Sequence, residues 1–341
     1  MTACGKSVFA EMGDRLLYLI ARLVIGGLQM LPLKEVARLG RCIGAVAHVL
    51  DGRHRKVVLK NLRMCLGREM TEAELRAIAR ENFRRIGENF ACAVKTAAMP
   101  WSELSRYCEF AHTEKLIPRA DEPGSQSRVV AIGHFGNFEL YARLGEVVPG
   151  FATATTYRGL RQESLNKLLQ GLRARSGCQF FERRTEGGAL RTAMQQSRLI
   201  LGLLTDQHAG DKGLMVPFFG VPCSTSNAPA VFALRYHCPL FTGYCFRVGL
   251  GRWRLEAGDE IPTKVNGRAR PVEDITLDVN RAFEAAVRRD PANWFWVHNR
   301  WKAWHKMQAQ AAGGAAGVAP EASGGAAGEA GTSSVPTETA G

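Results

Sequence analysis

The sequence predicts an α/β fold in which a largely parallel sheet is flanked by helices. Short apolar runs at 129–132, 151–156, 199–205 and 239–246 are typical of buried strands. Helical patterns alternate with these runs, as expected when parallel strands are joined by crossover helices. Ahead of residue 126 the patterns are helical throughout. We therefore expect a helical N-terminal region followed by an α/β core.

The first apolar segment, residues 15–33, predicts a membrane-associated helix. Arg15, Arg22 and Gln29 are seven residues apart and so share one helical stripe. The apolar stretch is short for a spanning helix, which needs about 20 residues. The pattern favours a helix lying in the membrane interface; a spanning helix and a soluble core helix are the alternatives. No small-residue cleavage site follows, so we expect no removed signal peptide.

Further helical signals follow. Residues 34–50 carry apolar side chains at helical spacing, and 53–56 open another amphipathic stretch. Thr71 and Glu74 predict a capping box for a helix that runs to about Met99. The expected divisions are a membrane-associated segment over 1–50, a helical region over 51–125, the α/β core over 126–306 and a disordered Ala/Gly-rich tail over 307–341.

The formal net charge of +13 favours a polyanionic partner. Nucleic acid, an anionic membrane, a phosphorylated substrate and an acidic protein all fit that charge. The nine cysteines lack the paired spacing of a zinc site or a C-x-x-C motif. Such an unpatterned set is typical of a reducing compartment, so we expect the catalytic part in the cytoplasm.

The most informative stretch is GHFGNFE at 133–139, directly after a predicted strand. The carboxyl end of a strand is where open α/β sheets bind ligands. His134 can act there as a general base near neutral pH, and Glu139 can accept its other ring N–H. The nucleophile would be a hydroxyl of the substrate. In the alternative interpretation, His134 satisfies a backbone carbonyl and Glu139 compensates a helix dipole.

GHFGNFE resembles the H-F-G-N-W-E block of the bacterial lipid A biosynthesis acyltransferases, part of the glycerolipid acyltransferase-like group with its H-x4-D/E motif. The other similar blocks, in the family's order, are RHRKVVLKNLRMCLG (53–67), TYR (156–158), LLTDQHAG (203–210), VPFFGVPCST (216–225) and NWFWVHNRWK (293–302). The chain differs from the family pattern at Phe138, His208 and Asn299, where Trp, an acidic residue and Arg are common.

The resemblance implies transfer of a fatty acyl chain from acyl carrier protein to a hydroxyl of a lipid A precursor. His134 would be the general base and Glu139 its orienting partner, with backbone N–H groups after Gly136 stabilising the oxyanion. The reaction would occur at the cytoplasmic face of the bacterial inner membrane, so membrane lipids are expected partners. Acyl transfer from a thioester requires neither a metal nor a redox cofactor, and we expect none.

Several further residues are candidates for substrate contacts. Arg158 is expected to bind an acceptor phosphate, with a surface ion pair as the alternative. Asp206 is expected to position substrate or hold Arg158, with a turn cap as the alternative. Gly136 and Asn137 are expected to line the site. In a separate region, Phe218 and Phe219 are expected either to wall an acyl groove or to be ordinary core, and Trp294, Trp296, Trp301 and Trp304 to pack a final helix.

Three other functions compete with this interpretation. The nearest is an acyltransferase for another glycolipid or a lysophospholipid, for example phosphatidylinositol mannoside. Charge alone suggests nucleic-acid binding, but no interleaved basic and aromatic motif is present, so we expect no nucleic-acid partner. A metal hydrolase using His134, Glu139 and His208 would be expected to carry H-E-x-x-H, which is absent.

Overall fold

The computed structural model describes residues 8–118, 127–160, 162–196 and 198–315. The α-helices are α1 (Val8–Met30), α2 (Leu33–Leu50), α3 (Gly52–Leu66), α4 (Glu72–Ala98), α5 (Trp101–Leu104), α6 (Glu163–Arg173), α7 (Gly187–Gln196), α8 (Ala228–Arg235), α9 (Val272–Arg289) and α10 (Lys302–Ala315). Short 3-10 helices cover Thr113–Leu116, Phe138–Glu146, Ala174–Ser176 and Pro291–Asn293.

The strands form one seven-stranded sheet and two small hairpins. They are β1 (Cys108–Ala111), β2 (Arg128–Ile132), β3 (Ala152–Tyr157), β4 (Gln179–Glu182), β5 (Leu199–Leu204), β6 (Leu214–Phe218), β7 (Val221–Thr225), β8 (Leu240–Gly249), β9 (Arg252–Ile261), β10 (Lys264–Val265) and β11 (Arg268–Ala269). The large sheet has the order β1-β9-β8-β2-β5-β3-β4, and only the β8–β9 pair in it is antiparallel. The predicted largely parallel sheet is therefore confirmed.

The central strands are buried on both faces. Every residue of β2 is buried, and the predicted apolar runs correspond to β2, β3, β5 and β8. Helices covering both faces of a parallel sheet explain why these strands read as continuous apolar runs rather than as alternating ones.

The N-terminal helices pack through glycines. The predicted capping box begins α4, with Thr71 and Glu74 hydrogen-bonded to each other in both directions. Where α2 crosses α4, Gly40 and Gly44 face the backbone of α4. A Cβ on Gly44 would lie 2.2 Å from the carbonyl oxygen of Phe83, so any larger residue would force the helices apart.

The first two helices expose much apolar surface. On α1 the exposed large apolar residues include Leu16, Leu19, Ile20 and Leu23, and on α2 they include Leu39, Ile43, Val46 and Leu50. None of the helices in the described ranges is both long enough and apolar enough to cross a bilayer.

The C-terminal prediction needs one correction. Residues 307–315, expected at the start of a disordered tail, continue helix α10. This stretch is rich in alanine, the strongest helix former, which explains the difference. The rest of the predicted tail, 316–341, lies outside the described residues.

Candidate functional site

His134 and Asp206 meet at the carboxyl edge of the sheet. Strands β2 and β5 run parallel and in register, with Ile132 opposite Leu204, and each residue of interest lies two positions beyond its strand. The ring Nδ1 of His134 is 2.7 Å from Oδ1 of Asp206. The backbone N–H of His134 donates to Oδ2 of Asp206, also at 2.7 Å. One carboxylate therefore holds both the ring and the backbone of His134.

The environment of Asp206 keeps it ionised. Its side chain is only 1% exposed, and Trp294 Nε1 donates to Oδ2 at 2.7 Å. Burial opposes the charged form, but the positive charge of His134 and the hydrogen bonds from His134 and Trp294 hold the pKa of Asp206 below its usual value. An ionised carboxylate can only accept, so Nδ1 of His134 carries a proton, and in the neutral ring the lone pair lies on Nε2.

Glu139, predicted to orient the His134 ring, binds Arg173 in this structure, and Asp206 binds the ring instead. Glu139 lies in the 3-10 helix Phe138–Glu146 and forms a two-pronged ion pair with Arg173, at 2.6 and 3.1 Å. The tight turn through Gly136 and the 3-10 helix direct Glu139 toward the end of α6, while Asp206 reaches the ring from the neighbouring strand. Asp206 binds His134 and Trp294 and not Arg158, so the predicted contact with Arg158 is corrected, while a contact with substrate stays a prediction.

A cavity of about 660 Å³ opens beside His134. Its lining includes His134, Asn137, Phe138, Glu139, Arg158, Arg173, Arg183, Gln207 and Phe295, together with Ile86, Phe90 and Val94 from α4. Arg158 follows β3 directly and is exposed; it makes no hydrogen bond or ion pair with another described residue. The His134 ring lies between Phe138 and Phe295, with ring centroids 4.8 and 5.9 Å away.

Gly136 and Asn137 shape the turn after His134, and both line the cavity. Gly136 has a φ of 50°, and a Cβ there would lie 2.6 Å from the carbonyl oxygen of Cys245, so both backbone angle and space require glycine. Its N–H donates to the carbonyl of Asn293. The Asn137 side chain is buried and donates to Thr96 Oγ1 at 3.3 Å.

Phe218 and Phe219 do not wall this cavity. Both are buried in an aromatic cluster, where Phe218 stacks on Trp301 at 5.8 Å and also contacts Trp294. The alternative interpretation, ordinary core, is therefore the correct one. The rings of Phe218 and Phe219, at the turn between β6 and β7, fill the space between this hairpin and the tryptophans, where a groove would otherwise lie.

A second, apolar cavity of about 90 Å³ lies between the 3-10 helix Phe138–Glu146 and the sheet. Its lining includes Val130, Ile132, Tyr141, Ala154, Phe180, Ile200, Gly202 and Gly243. The residues that line both cavities, and so lie between them, are Phe138, Glu139, Ala142, Thr156, Tyr157, Arg173 and Leu204.

Two buried asparagines hold the segment that carries Trp294: Asn61, which lies in the block 53–67 that resembles the family, and Asn82, which the sequence analysis did not single out. The bonds run from Asn61 Nδ2 to the carbonyl oxygens of Trp296 (2.9 Å) and His298 (3.0 Å), and from Asn82 Nδ2 to those of Ala292 (2.9 Å) and Trp294 (2.6 Å). Each amide thus bridges two carbonyls two residues apart. The available signal was a polar residue on the apolar face of an amphipathic helix, as at Asn61 in α3.

Within the described residues, no group of three or more His, Cys, Asp or Glu side chains could hold a metal ion. The site consists of an oriented histidine, a buried carboxylate, a carboxylate–guanidinium pair and an exposed arginine around one cavity. This arrangement can remove a proton from a bound hydroxyl while holding an anionic group nearby.

Comparison with known proteins identifies similar sequences. Residues 9–303 match the family described as bacterial lipid A biosynthesis acyltransferase. The chain is 26% identical over 280 residues to the lipid A biosynthesis palmitoleoyltransferase of Escherichia coli (strain K12), covering 80% of this chain and 86% of that protein. It is 23% identical over 278 residues to the lipid A biosynthesis lauroyltransferase of the same organism, covering 80% of this chain and 87% of that protein.

Proposed function

The chain belongs to the bacterial lipid A biosynthesis acyltransferase family, and we propose that it moves a fatty acyl chain from an acyl carrier protein thioester to a hydroxyl of a lipid A precursor. As a family member it is an acyltransferase. The observation that carries the mechanism is the contact between Asp206 and the His134 ring, which leaves Nε2 available beside the cavity.

The reaction we propose is a direct transfer. His134 Nε2 takes the proton of the acceptor hydroxyl as its oxygen attacks the thioester carbonyl. The C–O ester bond forms, the C–S bond breaks, and the proton on His134 passes to the departing sulfur. Asp206 fixes the ring tautomer and offsets the charge that the ring gains in between.

The carbonyl oxygen needs hydrogen-bond donors as it becomes negative. The N–H of Gly136 is bound to Asn293, so it is not free for this role. The next backbone N–H groups are those of Asn137 and Phe138, and both residues line the cavity at the start of the 3-10 helix, where N–H groups lack an intrahelical acceptor. We assign the oxyanion to these two donors.

The acyl chain and the acceptor occupy different spaces in this proposal. The apolar cavity behind Phe138 suits the methyl end of the acyl chain, because its lining is largely hydrocarbon. Arg158, exposed at the rim of the larger cavity, suits an acceptor phosphate. Glu139 remains a proposed catalytic residue, now acting together with Arg173 at the boundary of the two cavities.

We propose that the enzyme acts at the cytoplasmic face of the inner membrane, bound through α1 and the outer face of α2. Leu39, Ile43, Val46 and Leu50 form one exposed stripe along α2, since they are four, three and four residues apart. Apolar helices with flanking arginines are suited to the interface of an anionic membrane. The net charge of +13 also suits an acidic carrier protein.

The test is a reconstituted assay with full-length protein in detergent, an acyl carrier protein thioester and a lipid A precursor. Transfer should occur with EDTA present, and His134→Ala should lower turnover by about 10²–10⁴-fold while the protein remains folded. Near-normal turnover of the folded variant would contradict the mechanism. Transfer to phosphatidylinositol mannoside or a lysophospholipid, and not to the lipid A precursor, would contradict the acceptor.

A further inference from the structure

Three side chains of one short segment hold three consecutive residues of the loop after β5. The contacts are Trp294 Nε1 to Asp206 Oδ2 (2.7 Å), Arg300 Nη1 to the Gln207 carbonyl (2.9 Å) and the His208 N–H to His298 Nε2 (3.0 Å). We call Trp294, His298 and Arg300 the clasp. The loop has no regular secondary structure of its own. The side chains of the clasp therefore hold it in place, as backbone hydrogen bonds would hold a helix or a strand.

We propose that the clasp is a positioning device for the carboxylate of Asp206, and that Trp294 is its principal positioning residue. Because the backbone N–H of His134 and the indole N–H of Trp294 both bind Oδ2, the carboxylate cannot rotate, and Oδ1 stays on the His134 ring. The inference rests on the proposed function only for its activity measurement.

Burial strengthens the effect of the Trp294 contact. The residue is 1% exposed and Asp206 likewise, so water does not compete for the hydrogen bond. A donor aimed at an ionised carboxylate favours the deprotonated form. The indole N–H therefore lowers the affinity of the His134–Asp206 pair for a proton, in addition to fixing its geometry.

Arg300 is buried without a carboxylate partner among the described residues. Its guanidinium binds the carbonyls of Gln207 and Ser224 and the hydroxyl of Thr225. Burial lowers the pKa of Arg300, and the negative charge of Asp206 opposes that shift. A buried charge is costly. The Arg300 guanidinium binds the carbonyl of Gln207, the residue next to Asp206. The loop therefore holds a fixed positive charge that favours the ionised carboxylate.

The test compares Trp294→Phe with Trp301→Phe. Both tryptophans are buried in the same aromatic cluster, but Trp301 Nε1 donates to the carbonyl of Phe218 and not to Asp206. In Trp294→Phe the acid limb of the kcat/KM profile should move up by about one pH unit, the size expected when a carboxylate loses a charge-assisted hydrogen bond. In Trp301→Phe the limb should stay in place. An acid limb at the same pH in both variants would overturn the proposal.

A measurement on the free protein separates this inference from the proposed function. The ring proton shared by His134 and Asp206 should give a low-field NMR resonance that is absent in His134→Gln. Its titration midpoint should rise in Trp294→Phe only; an unchanged midpoint overturns the clasp. If the wild type transfers no acyl chain, the proposed function fails, and this titration alone decides the inference.

His298 provides a second pair of variants in case Trp294→Phe does not fold. His298→Leu removes the acceptor of the His208 N–H and should lower kcat by about tenfold. His298→Gln places an acceptor oxygen near the same point and should recover kcat to within about threefold of wild type. Equal losses in the two variants would reduce His298 to a packing residue and contradict the clasp.

Discussion

Asp206 binds His134 with both carboxylate oxygens, one on the ring Nδ1 and one on the backbone N–H, each at 2.7 Å. The ring cannot turn without breaking the first bond, and the loop that carries it cannot shift without breaking the second. A single buried side chain thus controls the tautomer, the orientation and the position of the proposed general base.

Asp206→Asn should lower kcat by about 10³–10⁴-fold. The N–H groups of His134 and Trp294 require an acceptor at the Oδ2 position, so the amide NH₂ must face the ring. It would donate to Nδ1 and force the ring proton onto Nε2, which can then accept nothing. Turnover of the folded variant measures this effect. A loss below tenfold would show that tautomer control is unimportant.

Glu139 and Arg173 should behave as one unit. Each side chain is less than one-third exposed, and the two are joined by two hydrogen bonds. A double-mutant cycle on turnover with Glu139→Gln and Arg173→Met should give a coupling energy of about 1 kcal/mol or more. Additive losses, or strong coupling of Glu139 to Asp206 instead, would support the orienting role expected from the H-x4-E spacing.

Gly202 should set how long an acyl chain is accepted. It lines the apolar cavity from β5, and a Cβ there would lie 3.4 Å from Cδ1 of Ile132. Gly202→Val should therefore shift the preference among thioester donors toward shorter chains, by about threefold to tenfold for each methylene excluded. Phe219→Leu, in the aromatic core, is the matched control and should leave the preference unchanged. A parallel shift in both variants would contradict this location of the chain.

His298 should make stability fall in mild acid. Burial, with the positive charges of His134 and Arg300 adding to it, lowers the pKa of His298 to about 4, although Asp206 opposes the shift. The unfolded chain binds a proton near pH 6.5 and the folded one does not, so this contribution is lost between about pH 6.5 and 4, by at most about 3 kcal/mol. The free energy of unfolding, measured with urea between pH 7.5 and 5, should depend less on pH in His298→Gln than in the wild type. The same pH dependence in both proteins would contradict this prediction.

Asn82 should be a strong determinant of stability. Removing its amide in Asn82→Ala takes a donor from two buried carbonyls, those of Ala292 and Trp294, of which the second keeps the Trp296 N–H; the loss costs about 1–3 kcal/mol. Asn82→Asp keeps the shape but places an acceptor against those carbonyls, so it should be worse than Ala. Urea midpoints compare the two. If Asp were tolerated better than Ala, the inferred hydrogen bonds would be incorrect.

Local patterns predict the strands and the residues at their ends, but not which ends are neighbours. His134 and Asp206 were each expected at the carboxyl end of a strand. Strands β3 and β4 lie between them in the chain, yet β5 inserts beside β2 in the sheet. The order of parallel strands depends on long-range packing, so the contact between Asp206 and the ring could not be read from spacing.

The strands that the sequence did not predict lack a continuous apolar run. Strand β9, with the sequence RWRLEAGDEI, carries many charges, and its residues near Asp259 and Glu260 are exposed, so it lacks the apolar run of β2 or β5. Strand β4 lies at the edge of the sheet and has no fully buried residue. Glu139 does not meet the ring because the turn through Gly136 and the 3-10 helix that follows direct it toward Arg173.

His134, Asp206 and Trp294 leave the ribosome in that order, and Trp294 lies 88 positions after Asp206, whose carboxylate its indole binds. The backbone carbonyls that Asn61 and Asn82 bind lie in the same late segment of the chain. The contacts that orient His134 can therefore form in full only after the segment that carries Trp294 has been synthesised.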